Sequence, residues 1–110
     1  WGIGGRFVRK GGVRVRVAVL EIRLFLPWAR SLKDKRMERK SLLDKLRGRF
    51  NVSAAEVAEQ DRHQLLVIGI AAVAGDAAQA DSILDHVLRL AQGNTEAQIT
   101  GVARTSEVVG

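Results

Sequence analysis

The chain has 110 residues, no cysteine, and 18 Lys and Arg against 12 Asp and Glu. That length makes one domain with one core, the lack of cysteine excludes disulfides and thiolate metal sites, and a 46% apolar content excludes a disordered chain. The longest apolar run, Leu65 to Ala74, is too short to span a bilayer, so the expected compartment is the cytoplasm.

Residues 1–12 are Gly-rich and aperiodic. They are expected to be a disordered extension, or an over-long reading of the gene in which Lys10-Gly11-Gly12 is a translated ribosome-binding site and Val13 the true start. Residues 14–26 alternate as a strand does, with Ala18, Leu20, Ile22, Leu24 and Leu26 on one face and Val17, Val19, Glu21, Arg23 and Phe25 on the other. Pro27 ends that strand because it cannot donate to a ladder. Ser31 is a good helix N-cap, and Asp34 suits the positive end of the helix dipole. Leu32, Leu42, Leu43, Leu46 and Phe50 mark the buried face of this first helix, with Met37 on its outer side. In the middle of the buried face Arg36 and Arg39 stand where apolar residues belong, so their stems are expected to pack while their heads reach water.

Asn51 to Glu59 predicts a second strand, at a sheet edge, and Gln60 to His63 a polar turn. Gln64 to Ala74 is apolar on both faces and predicts a central third strand. Asp76 with Gln79 forms a capping box for a second helix. That helix runs to about Gln92 over Ala80, Ile83, Leu84, Val87 and Ala91, with Gly93 as its C′ residue. Glu96 to Thr105 predicts a last strand, and residues 106–110 a frayed tail. The order β-α-β-β-α-β across 13–105 is the ferredoxin-like pattern: an α+β sandwich with an antiparallel four-stranded sheet and two helices on one face.

Charge is distributed unevenly. Residues 1–50 carry 15 Lys and Arg against 4 Asp and Glu, whereas residues 51–110 carry 3 against 8. Between Lys33 and Arg49 eight basic residues meet three acids. A one-sided basic surface concentrates polyanions, of which nucleic acid is the commonest in a cell. Arg30, Lys33, Lys35, Arg36, Lys40 and Arg47 are therefore the candidate RNA-binding residues. Trp28, in the loop before the helix, is a candidate for base stacking. The same loop, with Ser31 and the amides of Leu32 and Lys33, could hold a phosphate.

Three stretches carry a family resemblance: Ala18 to Leu24 running into Pro27; Ser31-Leu32-Lys33-Asp34-Lys35-Arg36 with Lys40-Ser41-Leu42-Leu43 behind it; and Arg49-Phe50-Asn51-Val52-Ser53 with Ala55-Glu56-Val57 and Gln60-Asp61. On these the chain resembles the YlxP-like family of small bacterial proteins, a domain of unknown function. The resemblance extends over roughly residues 13–105. It implies a ferredoxin-like fold and supplies no catalytic residues. The family's genes often lie near those for translation initiation and ribosome-binding factor A, which by association implies ribosome or RNA work. The chain departs from the family at Glu38-Arg39, where aliphatic residues are usual.

No constellation supports catalysis. Acylphosphatases share the strand order, but Pro27-Trp28-Ala29 replaces their glycine-rich phosphate cradle. His63 and His86 have no ligand-spaced neighbours, so no metal is expected. Glu56, Glu59 and Asp61 read as solvated charge on an edge strand. Ser41 and Ser53 have no histidine to activate them. The expectation is a non-enzymatic, cofactor-free RNA-binding or ribosome-associated accessory protein. The alternative is a homo-oligomeric interaction module whose open sheet face, through Val17, Val19, Leu65, Val67 and Val73, forms a two-fold dimer.

Overall fold

The structure is a computed structural model that describes residues 14–109. The expectations for residues 1–12 and for Val13 lie outside the described residues. Six elements follow one another: β1 (Val15–Phe25), α1 (Leu32–Arg49), β2 (Ser53–Ala58), β3 (Leu65–Ala74), α2 (Ala77–Gly93) and β4 (Gln98–Val109). One sheet runs in the order β2-β3-β1-β4, and every neighbouring pair is antiparallel. This is the ferredoxin-like arrangement that the alternation of residues 14–26 and the apolar third strand predict.

The period-2 pattern of β1 decides where the core lies. Ala18, Leu20, Ile22 and Leu24 are buried and stand opposite Ala72, Ile70, Ile68 and Leu66 of β3. Leu42, Leu43 and Leu46 of α1 and Ala80, Leu84, Val87 and Ala91 of α2 close the same core from the helix side. Both helices start as their sequences predict. Ser31 Oγ accepts from the Asp34 amide at 3.2 Å, and Asp76 Oδ1 accepts from the Gln79 amide at 2.8 Å. Gln79 Oε1 returns to the Gly75 amide and completes the reciprocal cap.

Two boundaries and one strand interior differ from expectation. Gly93 is the last residue of α2 rather than its C′ residue, and Asn94 caps the helix by donating from Nδ2 to the Leu90 carbonyl at 2.8 Å. Residues 106–109 are not a frayed tail: Ser106, Glu107, Val108 and Val109 pair with Ala18, Val17, Arg16 and Val15. The polar Ser106-Glu107 step reads as a chain end, but on an edge strand half of the side chains face solvent anyway. Third, β2 carries a bulge between Glu56 and Ala58. The bulged Val57 folds over Gly69 of β3, where an added Cβ would come within 2.9 Å of Val57 Cγ1.

Glu56, expected as a solvated edge charge, lies before that bulge and alternates in register with the buried Ala54. Paired with Ile68, Glu56 faces the helices, and its side chain is only 7% exposed. Beneath α1 it meets Lys35, which is 1% exposed. Lys35 Nζ donates to the carbonyls of Glu59, Gln60 and Leu65 at 2.8, 3.1 and 3.1 Å and lies 2.8 Å from Glu56 Oε2. An ammonium has three donors, and three carbonyls use them, so the fourth contact is Coulombic. Arg39 adds a hydrogen bond to Glu56 Oε1 at 3.0 Å. This cluster fills the gap in the apolar stripe of α1 and anchors the β2–β3 hairpin. Within that hairpin Glu59 adopts φ 59°, a left-handed conformation. Its carbonyl also accepts from the Arg62 amide at 3.0 Å.

Candidate nucleic-acid interface

The cluster around Glu56 removes one cation, Lys35, from the candidate site. Lys35 is buried and cannot reach a phosphate, which corrects its expected role in RNA binding. Arg39 is committed to Glu56. Glu56 is a buried counter-ion rather than a solvated edge charge.

The remaining cations divide between the two flanks of α1. With 3.6 residues per turn, Lys33, Arg36, Lys40 and Arg47, spaced three, four and seven residues apart, fall on one stripe about 21 Å long. All four are exposed. This stripe runs along the β2 side of the helix, because Arg47 donates from Nη2 to the Ala54 carbonyl and Arg39, between it and the core, reaches Glu56. Arg47 uses one of five guanidinium donors there and keeps its charge. Lys40 pairs with Asp44 at 2.6 Å across an open surface, a contact that competes weakly with a polyanion. Lys33 and Arg36 form no ion pair with any described residue. Lys45, Arg49 and Glu38 occupy the opposite flank, where Thr95 donates to Glu38 Oε1 at 2.6 Å beside the end of α2.

The loop before α1 does not join the stripe. Trp28 is 40% exposed but lines a shallow cleft with Asp34, Met37 and Glu38, on the acidic side of the helix. Base stacking on Trp28 and phosphate contact along the stripe are therefore not brought together. Asp34 ties the loop to the start of the helix. Its Oδ2 accepts from the Arg30 amide at 2.8 Å while its own amide donates to Ser31. Arg30 is exposed at the start of α1.

The expected oligomer residues share one face but not one apolar patch. Val17 stands opposite Val73, Val19 opposite Ala71, and Phe25 opposite Leu65. Val73 is 69% exposed, whereas Val67, between Arg23 and Ala58 in the register, is buried at 2% and can add nothing to an interface. A Glu21–Arg23 ion pair of 3.0 Å stands in the middle of this face. On the outer flank of α2, Asp85 accepts from Arg104 at 2.6 Å, with Asp81 at 3.5 Å. The Arg104 hydrogen bond holds the Asp85 carboxyl below the ordinary carboxylate range. Among the described residues no group of three His, Cys, Asp or Glu is placed to hold a metal ion. No helix there is long and apolar enough to cross a membrane.

Fold and surface together describe a small βαββαβ domain with a basic flank on its first helix. Residues 17–104 match the family described as Protein of unknown function (DUF503), and the chain belongs to it. The chain is 38% identical over 77 residues to the Uncharacterized protein YlxP of Bacillus subtilis (strain 168), a match spanning 70% of this chain and 83% of that protein. Among solved structures it is similar to the De novo designed protein Foldit4, with a TM-score of 0.49 and 14% identity over 84% of this chain and 96% of that one.

Proposed function

We propose that this protein is a non-enzymatic, cytoplasmic RNA-binding or ribosome-associated accessory protein that acts through the β2-side flank of α1. The observation that carries this reading is the alignment of Lys33, Arg36, Lys40 and Arg47 on one exposed stripe, with Lys33 and Arg36 unpaired among the described residues. Arg30 is a further exposed cation in the loop before α1. Lys supplies non-directional charge and Arg a fork that matches phosphate oxygens. Such contacts position a backbone and do not read sequence, so binding is tolerant of base identity. The family's gene neighbourhood favours RNA over other polyanions.

The test is a salt titration of binding to a single-stranded RNA. Each single-strand phosphate contact contributes about 0.7 to the slope of log K against log salt. Replacing Lys33, Arg36 and Lys40 together by Ala should flatten that slope by about 2 and weaken binding alike across sequences. If the triple variant binds as the parent does, the flank is only solvated.

The second reading, a homo-oligomeric module that uses the open sheet face, draws on the exposed Val19, Val57 and Val73. The Glu21–Arg23 pair and the burial of Val67 weigh against it.

A further inference from the structure

The two edges of the sheet are built differently. The β2 edge is guarded: the strand has 6 residues, is bulged, and has Arg47 on its Ala54 carbonyl. Short length, a bulge and a charged side chain are the devices that stop a sheet from adding strands. The β4 edge is less guarded, with one bulge opposite Arg23/Leu24 and Arg104 and Glu107 as its charged residues. β4 has 12 residues, and from Gly101 to Val109 it pairs with β1 without interruption. At a rise of about 3.3 Å per residue that is an edge of about 30 Å. It contains no Lys and no Pro, and its one Arg turns back onto Asp85 and Asp81 of α2. Among the described residues nothing pairs with its outer side.

We propose that β4 pairs antiparallel with β4 of a second copy of this chain, on a two-fold axis at Thr105, which makes one continuous eight-stranded sheet. The register follows from the side chains. Val102, Arg104, Ser106 and Val108 stand opposite Ile22, Leu20, Ala18 and Arg16 and so share the helix side of the sheet. Val102 and Val108 are the exposed large aliphatics of this strand, at 44% and 36%. Centring on Thr105 sets Val102 against the partner copy's Val108 in both halves, Arg104 against Ser106, and Thr105 against itself. Aliphatic and Thr–Thr cross-strand pairs stabilise antiparallel strands. An axis at Arg104 or Glu107 would set like charges face to face, and a shift by one residue would break the match of faces. The contact is isologous and closes on itself, so it ends at a dimer. It leaves the basic flank of α1, at the far β2 edge, unobstructed, and it does not depend on the RNA reading.

The chain has no cysteine, which makes a register test direct. T105C should form a covalent dimer on mild oxidation. A103C should not, because it faces the partner copy's Glu107 and lies about 13 Å from its own counterpart. V73C, on the open sheet face, should not either. By light scattering the parent should have twice the chain mass and V102K the chain mass, with circular dichroism showing V102K folded. The double variant V102K/V108E, which replaces both aliphatic pairs by Lys–Glu pairs, should recover the dimer. A parent that is monomeric at high micromolar concentration overturns the proposal. So does cross-linking of V73C, or of A103C, in preference to T105C.

Discussion

Lys35→Met removes the buried ammonium with little change in side-chain volume, and its cost can be worked from the contacts. Three backbone carbonyls, those of Glu59, Gln60 and Leu65, lose a donor. Glu56, whose side chain is 7% exposed, keeps only Arg39 at 3.0 Å. Breaking a buried ion pair by deleting one partner costs about 3–5 kcal/mol, because a charge is left uncompensated. Small domains unfold with about 5–15 kcal/mol, so this one change consumes much of the total. In urea, with a slope of about 1–1.5 kcal/mol per molar, the midpoint should fall by at least about 2 M. The double variant K35M/E56L should recover part of the loss, since the stranded carboxylate is gone, but not all of it, since the carbonyls still lack their donor. A midpoint shift in K35M below about 0.5 M would refute the reasoning. It would mean that Lys35 reaches water and belongs with the surface cations.

Other substitutions test neighbouring parts of the account. Leu46→Ala should cost about 2–5 kcal/mol in the same denaturation assay because Leu46 is fully buried, whereas Met37→Ala, at a site 66% exposed, should change stability little. Deleting residues 106–110 should lower the midpoint clearly, because it strips the partners of Val15 to Ala18; a frayed tail could be removed without effect. The Asp85–Arg104 contact predicts a pH dependence with a definite sign. The folded carboxyl is held below its ordinary 3.8, so its contribution is present above that value and is lost as pH falls through the lowered folded pKa. Asp85→Asn should therefore flatten the acid limb of stability below pH 3.8 and leave its shape near neutrality unchanged.

Most of the fold is legible in the sequence because its signals are periodic. The alternation of Ala18 through Leu26, the double-sided apolarity of residues 65–74 and the caps at Ser31 and Asp76 each obey a local rule, and the structure keeps all of them. The differences arise where a local rule meets a tertiary exception. Lysine is among the residues most seldom buried, so Lys35 reads as surface charge like Lys33. Its burial depends on Glu56, twenty-one residues away, and on three carbonyls of a hairpin. Glu56 in turn reads as solvent-facing because a carboxylate on an edge strand is usually solvated, although alternation from Ala54 sets it on the core side. The gap in the apolar stripe of α1, where the family usually has aliphatic residues at Glu38-Arg39, is the one trace of this cluster in the sequence. The partition of the basic residues follows the same logic. Helical periodicity separates Lys33, Arg36, Lys40 and Arg47 from Lys45 and Arg49, but only the packing of α1 against β2 shows that Lys35 is buried and which flank runs beside β2. Trp28 lies on the acidic side because the chain leaves Pro27 toward Asp34 and Glu38, a direction that no periodicity encodes.

In the proposed function, location rather than net charge selects the flank of α1 that meets RNA. Two variants matched in charge test it most directly: K33A/R36A on the β2-side flank and K45A/R49A on the opposite flank, each compared with the parent in a salt titration against single-stranded RNA. The account predicts that K33A/R36A flattens the slope of log K against log salt by about 1.4, for two lost phosphate contacts, while K45A/R49A leaves it nearly unchanged. Equal losses in the two variants would mean that RNA responds only to the overall charge of the chain, and would contradict the assignment of the interface.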